Sequence, residues 1–143
     1  MRIVVDTDVI VASVRSRRGA SRRVVALAVK GLLDQIVTVS IMLEYESVLK
    51  RPEHLRVARL TAYDVDKLLD NIADSATLVT PYFSWRPQLR DPADEHVLDA
   101  AVNGRADVIV TFNKRHFANA VGQFGIEVVT PGNLLEMINH DTG

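Results

Sequence analysis

Residues 2–13 read RIVVDTDVIVAS, and this stretch predicts the kind of fold that the chain adopts. Ile3, Val4 and Val5 form a continuous β-branched run without polar alternation, which is typical of a strand buried on both faces of a parallel sheet. Asp6 directly follows this run, and in an open α/β sheet the carboxyl ends of the strands form the ligand crevice. Asp6 is therefore a candidate site residue. The alternative is that it caps the next helix, since aspartate is a preferred N-cap.

The rest of the chain alternates short apolar runs with segments of helical spacing. Further strands are predicted at 36–39, 78–79, 107–111 and 126–129, and helices at 9–14, 19–33, 41–50, 53–60, 61–73, 91–103 and 132–138. This alternation predicts one domain over residues 1–143, in which a parallel sheet carries helices on both faces. The order of the strands does not follow from this pattern. The irregular segment 82–90 is predicted to be a surface loop.

Capping residues and breakers set the predicted ends of the helices. Ser40 is expected to cap the helix after the second strand, and Pro52 is expected to stop that helix. Asp91 followed by Pro92 has the pattern of an N-cap with proline at the first helical position. Gly104 is predicted to lie at the C-terminal end of the same helix, because glycine is frequent just beyond the last helical residue.

Composition narrows the class of protein. The chain has 143 residues, of which 48% are hydrophobic and 24% charged, and these values are typical of a globular domain. The absence of cysteine excludes disulfides, thiolate metal sites and a cysteine nucleophile. No apolar run reaches the length that spans a bilayer, and the chain starts with a strand pattern instead of a signal peptide. We therefore expect a cytoplasmic protein that makes no contact with membranes.

A cluster of arginines gives the chain a local positive charge although its formal net charge is only −1. No acidic residue occurs between Asp8 and Asp34, and arginine favours bidentate contacts with phosphate. The cluster therefore predicts a nucleic-acid contact, with a solvated helix face as the alternative. Its members are Arg15, Arg17, Arg18, Arg22 and Arg23.

Two further carboxylates are predicted at the same sheet edge as Asp6. Asp94 falls at the centre of the apolar stripe of its helix, where a carboxylate must meet a cation or hydrogen-bond donors. A capping box with Asp91 is the alternative for Asp94. Glu44 and Glu46 flank the apolar stripe of the helix after the second strand on opposite sides, and the helical wheel does not choose between them. Glu44 is favoured because it lies nearer the crevice.

Asn113 joins this set because it follows the predicted strand at 107–111, which ends at the same edge. Carboxylate and amide oxygens without a cysteine or a histidine pair suit Mg²⁺ or Mn²⁺ and not zinc. Acidic side chains so close together would repel each other, and a divalent cation offsets that repulsion. A metal held in this way can promote in-line attack of water on a phosphodiester.

The chain resembles the PIN domain family, and in particular its VapC-like toxin branch. Four segments carry the resemblance and together span most of the chain: VVDTDVIVAS, SIMLEYESVLKRP, RDPADEHVLDAA and ADVIVTFNKRHF. The resemblance implies a three-layer α/β/α sandwich with a parallel sheet, and a metal-dependent endoribonuclease that is the toxin component of a toxin–antitoxin pair. It matches Asp6, Glu44 and Asp94 to the three core acids that hold the metal, and it adds Asn113 as a fourth catalytic position.

The chain departs from the family pattern at three positions. Asn113 and His116 stand where many members have acids, and Asp8 stands where asparagine is common. Asn113 supplies no charge, so a weakened second metal site is expected. His116 is expected to be a surface or capping residue, with proton donation or phosphate contact as alternatives. Asp8 is expected to add charge to the site or to orient Asp6.

The resemblance also implies partners and leaves alternatives open. It implies an RNA substrate that the arginine cluster and Arg115 contact. It also implies an antitoxin protein that blocks the crevice, and a homodimer. Because Asn113 replaces an acid, an alternative is an RNA-binding or partner-binding module that kept the fold and lost the chemistry. A small-molecule enzyme with a phosphate-bearing ligand is a more distant alternative, and the lack of a glycine-rich loop after the first strand argues against nucleotide binding.

Overall fold

A computed structural model describes residues 1–16, 18–81, 92–118 and 122–142. They form an α/β/α sandwich around a five-stranded parallel sheet, as the sequence predicts. The strands are β1 (Arg2–Val5), β2 (Asp34–Val37), β3 (Thr77–Leu78), β4 (Val108–Val110) and β5 (Glu127–Val129). The helices are α1 (Thr7–Arg15), α2 (Ala20–Val29), α3 (Val39–Leu49), α4 (Pro52–Ala58), α5 (Ala62–Ser75), α6 (Pro92–Asn103) and α7 (Pro131–Thr142). Two 3₁₀ turns, Lys114–His116 and Gly122–Phe124, connect β4 to β5.

The strand order places β1 at the centre of the sheet. The order is β3-β2-β1-β4-β5, and β1 pairs in parallel with β2 on one side and with β4 on the other. The side chains of Ile3–Val5 and of β4 are buried, which explains their continuous apolar pattern. From β1 the chain builds β2 and β3 on one side and then crosses to β4 and β5. The carboxyl ends of β1 and β4 therefore border the topological switch point, where open α/β sheets bind ligands.

The ends of α3 differ from the prediction. Thr38, and not Ser40, is the N-cap of α3, and its hydroxyl oxygen accepts a hydrogen bond from the backbone N–H of Ile41 over 3.1 Å. The helix begins two residues earlier than predicted because a threonine at the end of β2 can supply the same capping oxygen as a serine. Pro52 lies at the first turn of α4 and so begins that helix. The missing N–H of proline costs nothing at this position.

Gly104 follows α6, as predicted, but packing and not backbone conformation requires it. The left-handed conformation belongs to the next residue, Arg105, with φ 53°. A Cβ atom on Gly104 would lie 2.5 Å from Cγ2 of Ile36 and 2.8 Å from the carbonyl oxygen of Ala100. Glycine therefore lets the end of α6 approach β2 closely.

Three other predictions meet different outcomes. The predicted loop at 82–90 and the capping role of Asp91 lie outside the described residues. No helix in the described part of the chain is long and apolar enough to span a membrane.

Candidate active site at the carboxyl edge of β1 and β4

Asp6 lies at the junction of β1, α1 and β4. Its backbone N–H donates to the carbonyl oxygen of Val110 over 2.9 Å and so extends the pairing of β1 with β4 by one residue. Its side chain is the N-cap of α1, with Oδ1 accepting from the N–H of Thr7 over 2.8 Å. Oδ2 accepts from the hydroxyl of Thr111 over 2.7 Å. Asp6 therefore caps the helix and also lies buried at the switch point, so the two interpretations of this residue are compatible.

Asp8 lies beside Asp6 in the first turn of α1 and holds the segment that follows β4. Its Oδ2 accepts from the backbone N–H of Phe112 over 3.1 Å and from Nδ2 of Asn113 over 2.9 Å. Its Oδ1 is buried and has no hydrogen-bond partner among the described residues. Burial and, to a smaller extent, the charge of Asp6 raise the pKa of Asp8 to about 6. The two carboxylates thus form a crowded acidic pair.

Tyr45 forms a hydrogen bond with the backbone at the end of β1, directly before Asp6. The residue is fully buried on α3, and its hydroxyl donates to the carbonyl oxygen of Val5, the residue before Asp6. Nε2 of Gln35, which is also fully buried, donates to the same hydroxyl over 3.4 Å. Burial and the negative charge of Asp6 raise the pKa of Tyr45, so the phenol stays protonated and remains a donor. These contacts connect β2, α3 and the end of β1 behind the acidic pair.

Asp94 is buried on α6, as its position in the apolar stripe predicts, and the residue is 7% exposed. Its Oδ2 lies 3.0 Å from Nδ1 of His116, which follows β4 in the first 3₁₀ turn. His116 is about half exposed and so presents the rest of its ring to solvent. The pair connects α6 to the segment that carries Asn113, and it shows that His116 has a specific partner.

Glu44 and Glu46, which the helical wheel does not separate, have different surroundings. Glu46 lies 3.3 Å from Lys50, and Lys50 also lies 2.7 Å from Asp66 on α5. Glu44 is partly buried and forms no hydrogen bond or ion pair with any described residue. Glu46 therefore belongs to a surface ion-pair network, whereas the carboxylate of Glu44 is unpaired within the described part of the chain.

The structure brings some of the predicted residues together and leaves others apart. Asp6, Asp8 and Asn113 meet through the segment after β4, whereas Asp94 is engaged by His116. No three His, Asp or Glu side chains in the described ranges are arranged closely enough to hold a metal ion. Asp6 instead accepts a hydrogen bond from Thr111, and Asp94 contacts His116.

The basic residues predicted to bind RNA lie on the surface. The described members of the arginine cluster are Arg15, Arg18, Arg22 and Arg23. All four are exposed, and none forms an ion pair with a described residue. Arg17 lies outside the described residues. Arg15 ends α1 and lies about 12 Å along the helix axis from its first residue. Arg115 is exposed in the 3₁₀ turn after β4, close to the acidic pair.

A family model for the PIN domain matches residues 2–115. The chain belongs to the PIN domain family. The match includes β1, β4, Asp6, Asp94 and Asn113, and it ends one residue before His116, the partner of Asp94. PIN domains are generally nucleases, which are hydrolases that act on nucleic acid and generally use divalent metal ions. A search of curated proteins gave no match.

The sequence interpretation did not identify Thr111, which contacts Asp6, or Tyr45, which contacts the residue before Asp6. Thr111 ends the apolar run of β4, and a polar residue at that position is the same signal that identified Asp6 after β1. Tyr45 is part of the apolar stripe of α3, so periodicity assigns it to the core. Its hydroxyl becomes informative only once Val5 is known to lie against it.

Proposed function

We propose that this PIN domain is a metal-dependent endoribonuclease whose site lies at the carboxyl edge of β1 and β4. The observation that carries the proposal is the acidic pair of Asp6 and Asp8 at the switch point. Burial and, to a smaller extent, the charge of Asp6 raise the pKa of Asp8 to about 6, and one buried oxygen of Asp8 has no partner among the described residues. Such a pair is destabilised unless a proton or a cation offsets its charge.

The donor atoms at this edge are of the chemical type that a hard divalent cation binds, although no three of the described acidic or histidine side chains are arranged around one. Asp6, Glu44 and Asp94 would hold Mg²⁺ or Mn²⁺ through carboxylate oxygens, and Asn113 would support the site through its amide. A cation bound there supplies Lewis-acid chemistry, because it offsets the charge of the scissile phosphate and activates water for in-line attack. For Asp94 to join Asp6, it has to exchange its contact with His116 for the cation.

Each of these residues has a separate task in the proposed site. Asp6 is fixed by Thr7 and Thr111, so its carboxylate is oriented before any ligand arrives. Glu44 lies on α3, and its carboxylate has no partner among the described residues, so it is available to a cation. The exposed arginines, with Arg115 nearest the acids, would bind phosphates of the RNA on either side of the cleaved bond.

The first experiment is calorimetric titration with Mn²⁺ of the wild type and of Asp94→Asn. We expect saturable binding by the wild type and binding at least tenfold weaker by the variant. Asp70→Asn, which removes an exposed carboxylate from α5, is the matched control and should bind like the wild type. Unchanged affinity in Asp94→Asn would remove Asp94 from the metal site.

The second experiment measures cleavage of an RNA mixture with Mg²⁺ or Mn²⁺. Asp6→Ala and Asp94→Ala should lose cleavage while keeping the circular dichroism spectrum of the wild type. Glu44→Gln should also lose cleavage, whereas Glu46→Gln should retain it because Glu46 pairs with Lys50 on the surface. Full activity of Asp6→Ala or Asp94→Ala would reject the proposed nuclease site.

A second candidate function is a nucleic-acid-binding or partner-binding module without catalysis. The engagement of Asn113 favours it, since this amide donates to Asp8 where a family acid would add negative charge. The Asp94–His116 contact favours it as well, because it occupies an oxygen of a core acid. This function predicts retention of RNA in a gel shift by the wild type, together with no metal-stimulated cleavage.

A toxin role and a homodimer are further parts of the proposal. The toxin role predicts a small antitoxin that binds the PIN domain and stops its cleavage of RNA. Adding the product of a neighbouring gene to the cleavage reaction tests this prediction.

The homodimer is supported by Val39 and Leu43, two exposed apolar residues one turn apart on α3. Sedimentation of the wild type and of Leu43→Lys tests it, and the variant should be the smaller species.

A further inference from the structure

Phe112 is an exposed aromatic residue beside the acidic pair. It directly follows Thr111, and its side chain is 51% exposed. Phe117, five positions further along the chain, is fully buried and forms part of the core. The exposure of Phe112 is therefore not a general property of this segment. A large apolar side chain that stays in solvent at the edge of a functional site is a candidate contact for a ligand.

The backbone around Phe112 is fixed by the site itself. The N–H of Phe112 donates to Oδ2 of Asp8 over 3.1 Å, and the N–H of Asn113 donates to the hydroxyl of Thr111 over 2.9 Å. The side-chain amide of Asn113 donates to the same oxygen of Asp8 over 2.9 Å. The ring is thus attached to a backbone that Asp8 and Thr111 hold in place. A preorganised contact of this kind loses little conformational entropy when a ligand binds.

Two cations follow the aromatic ring directly. Lys114 and Arg115 are exposed, and neither forms an ion pair with a residue in the described part of the chain. An exposed aromatic ring with adjacent cations is the combination that single-stranded nucleic acids bind, because the ring stacks on a base while the cations contact the backbone phosphates. The bases of a duplex are stacked on each other and do not offer a free face to such a ring.

We propose that Phe112 is a stacking platform for one unpaired nucleobase next to the acidic pair. This inference rests on the proposed endoribonuclease for the identity of the ligand. It adds the residue that contacts a base beside the site and the kind of contact that this residue makes. Lys114 and Arg115 then contact the phosphates that flank the stacked base.

The test measures RNA binding without cleavage, by fluorescence anisotropy of a labelled oligonucleotide in EDTA. Phe112→Ala and Phe112→Leu should each weaken binding of a single-stranded RNA roughly 5- to 100-fold, the range expected for loss of one base–aromatic stack. Phe112→Trp should bind at least as tightly as the wild type. Tyr63→Ala removes an exposed aromatic residue from α5 and is the matched control, which should bind like the wild type.

A second measurement reports stacking directly. Trp85 is the one tryptophan of the chain, so Trp85→Phe combined with Phe112→Trp leaves a single indole at the platform. Its fluorescence should be quenched by single-stranded RNA and not by an abasic oligonucleotide of equal length. A duplex of the same sequence should also leave it unchanged.

Several outcomes would overturn the platform. They are full affinity in Phe112→Ala, full affinity in Phe112→Leu, equal binding of the duplex, and equal quenching by the abasic oligonucleotide. If Phe112→Ala instead disrupts binding of a purified protein partner and not of RNA, the ring is a protein contact and the platform is wrong. Because all binding is measured in EDTA, the platform can stand when no cleavage is found, and cleavage can stand when the platform fails.

Discussion

The hydroxyl of Thr111 donates to Oδ2 of Asp6 over 2.7 Å, although the two residues are 105 positions apart in the chain. The bond connects the residues that directly follow β1 and β4, at the point where these strands pair. The same hydroxyl accepts from the N–H of Asn113 over 2.9 Å. Thr111 therefore orients a proposed catalytic carboxylate and also fixes the segment that carries Asn113.

Thr111→Val should destabilise the protein by about 2 kcal/mol. Valine has nearly the same shape, but it leaves a buried carboxylate oxygen and a backbone N–H without their partner, and hydrogen bonds to charged groups contribute about 1.5–3 kcal/mol. Urea unfolding followed by circular dichroism measures the loss. Thr80→Val, at an exposed threonine after β3, is the control and should change stability by less than about 0.5 kcal/mol. Equal stability of the two variants would contradict the role of the Thr111 hydroxyl.

Asp8 should give the protein a pH-dependent stability. Burial and the charge of Asp6 raise its pKa from 3.8 to about 6, so between these values the folded state holds a proton that the unfolded state has released. The free energy of unfolding therefore falls as the pH rises from about 4 to about 6, and it stays lower above pH 6.

Asp8→Asn should remove this dependence while keeping an oxygen acceptor at the position. Because Asp8 is partly exposed, solvent screening reduces the effect, and we expect the wild type to lose about 1 kcal/mol relative to the variant between pH 4 and pH 7. Urea unfolding of both proteins across this range measures the difference. Parallel pH profiles would show that Asp8 titrates with an ordinary pKa.

The elements of the fold could be predicted from local pattern, whereas their arrangement could not. The β-branched run of Ile3–Val5 and the run before Thr111 predict buried strands because both faces of the sheet are covered. The strand order depends on pairings between distant segments, and nothing in either run specifies its neighbour. The cap of α3 was misplaced because Thr38 and Ser40 both carry a hydroxyl, and only the backbone conformation selects Thr38.

The candidate site could be predicted in part, for a similar reason. Asp6 and Asp94 interrupt apolar patterns, and a carboxylate at a buried position is informative by itself. The partner of Asp94 could not be predicted, because His116 lies in a different element and reaches it only in the folded chain. Tyr45 fits the apolar pattern of α3, so its polar contact with Val5 leaves no trace in the periodicity.

Tyr45→Phe should destabilise the protein by about 1–3 kcal/mol. The ring remains, but the buried carbonyl of Val5 and the amide of Gln35 lose the hydroxyl that they share, and a buried polar group without a partner costs that amount. Tyr63→Phe is the matched control, because Tyr63 is 65% exposed. Its loss should stay below about 0.5 kcal/mol in urea unfolding. If Tyr45→Phe is as stable as this control, the hydroxyl does not hold the end of β1.

Gly104→Ala should destabilise the protein although Gly104 does not have a left-handed backbone conformation that alanine would strain. The new methyl group would lie 2.5 Å from Cγ2 of the buried Ile36 and 2.8 Å from the backbone oxygen of Ala100. Because neither atom belongs to a flexible exposed side chain, α6 has to move away from β2. Overpacking of this kind costs about 1–3 kcal/mol.

The control for this substitution is Gly132→Ala in the first turn of α7, where a Cβ atom would meet no other atom within 4 Å. There the smaller entropy of the unfolded chain should raise stability by about 0.4–1 kcal/mol. Thermal unfolding of both variants measures effects of opposite sign. If Gly104→Ala were neutral or stabilising, the distance between α6 and β2 would have to be larger than the structure shows. The reason for glycine at this position would then have to be sought in the turn that leads to Arg105.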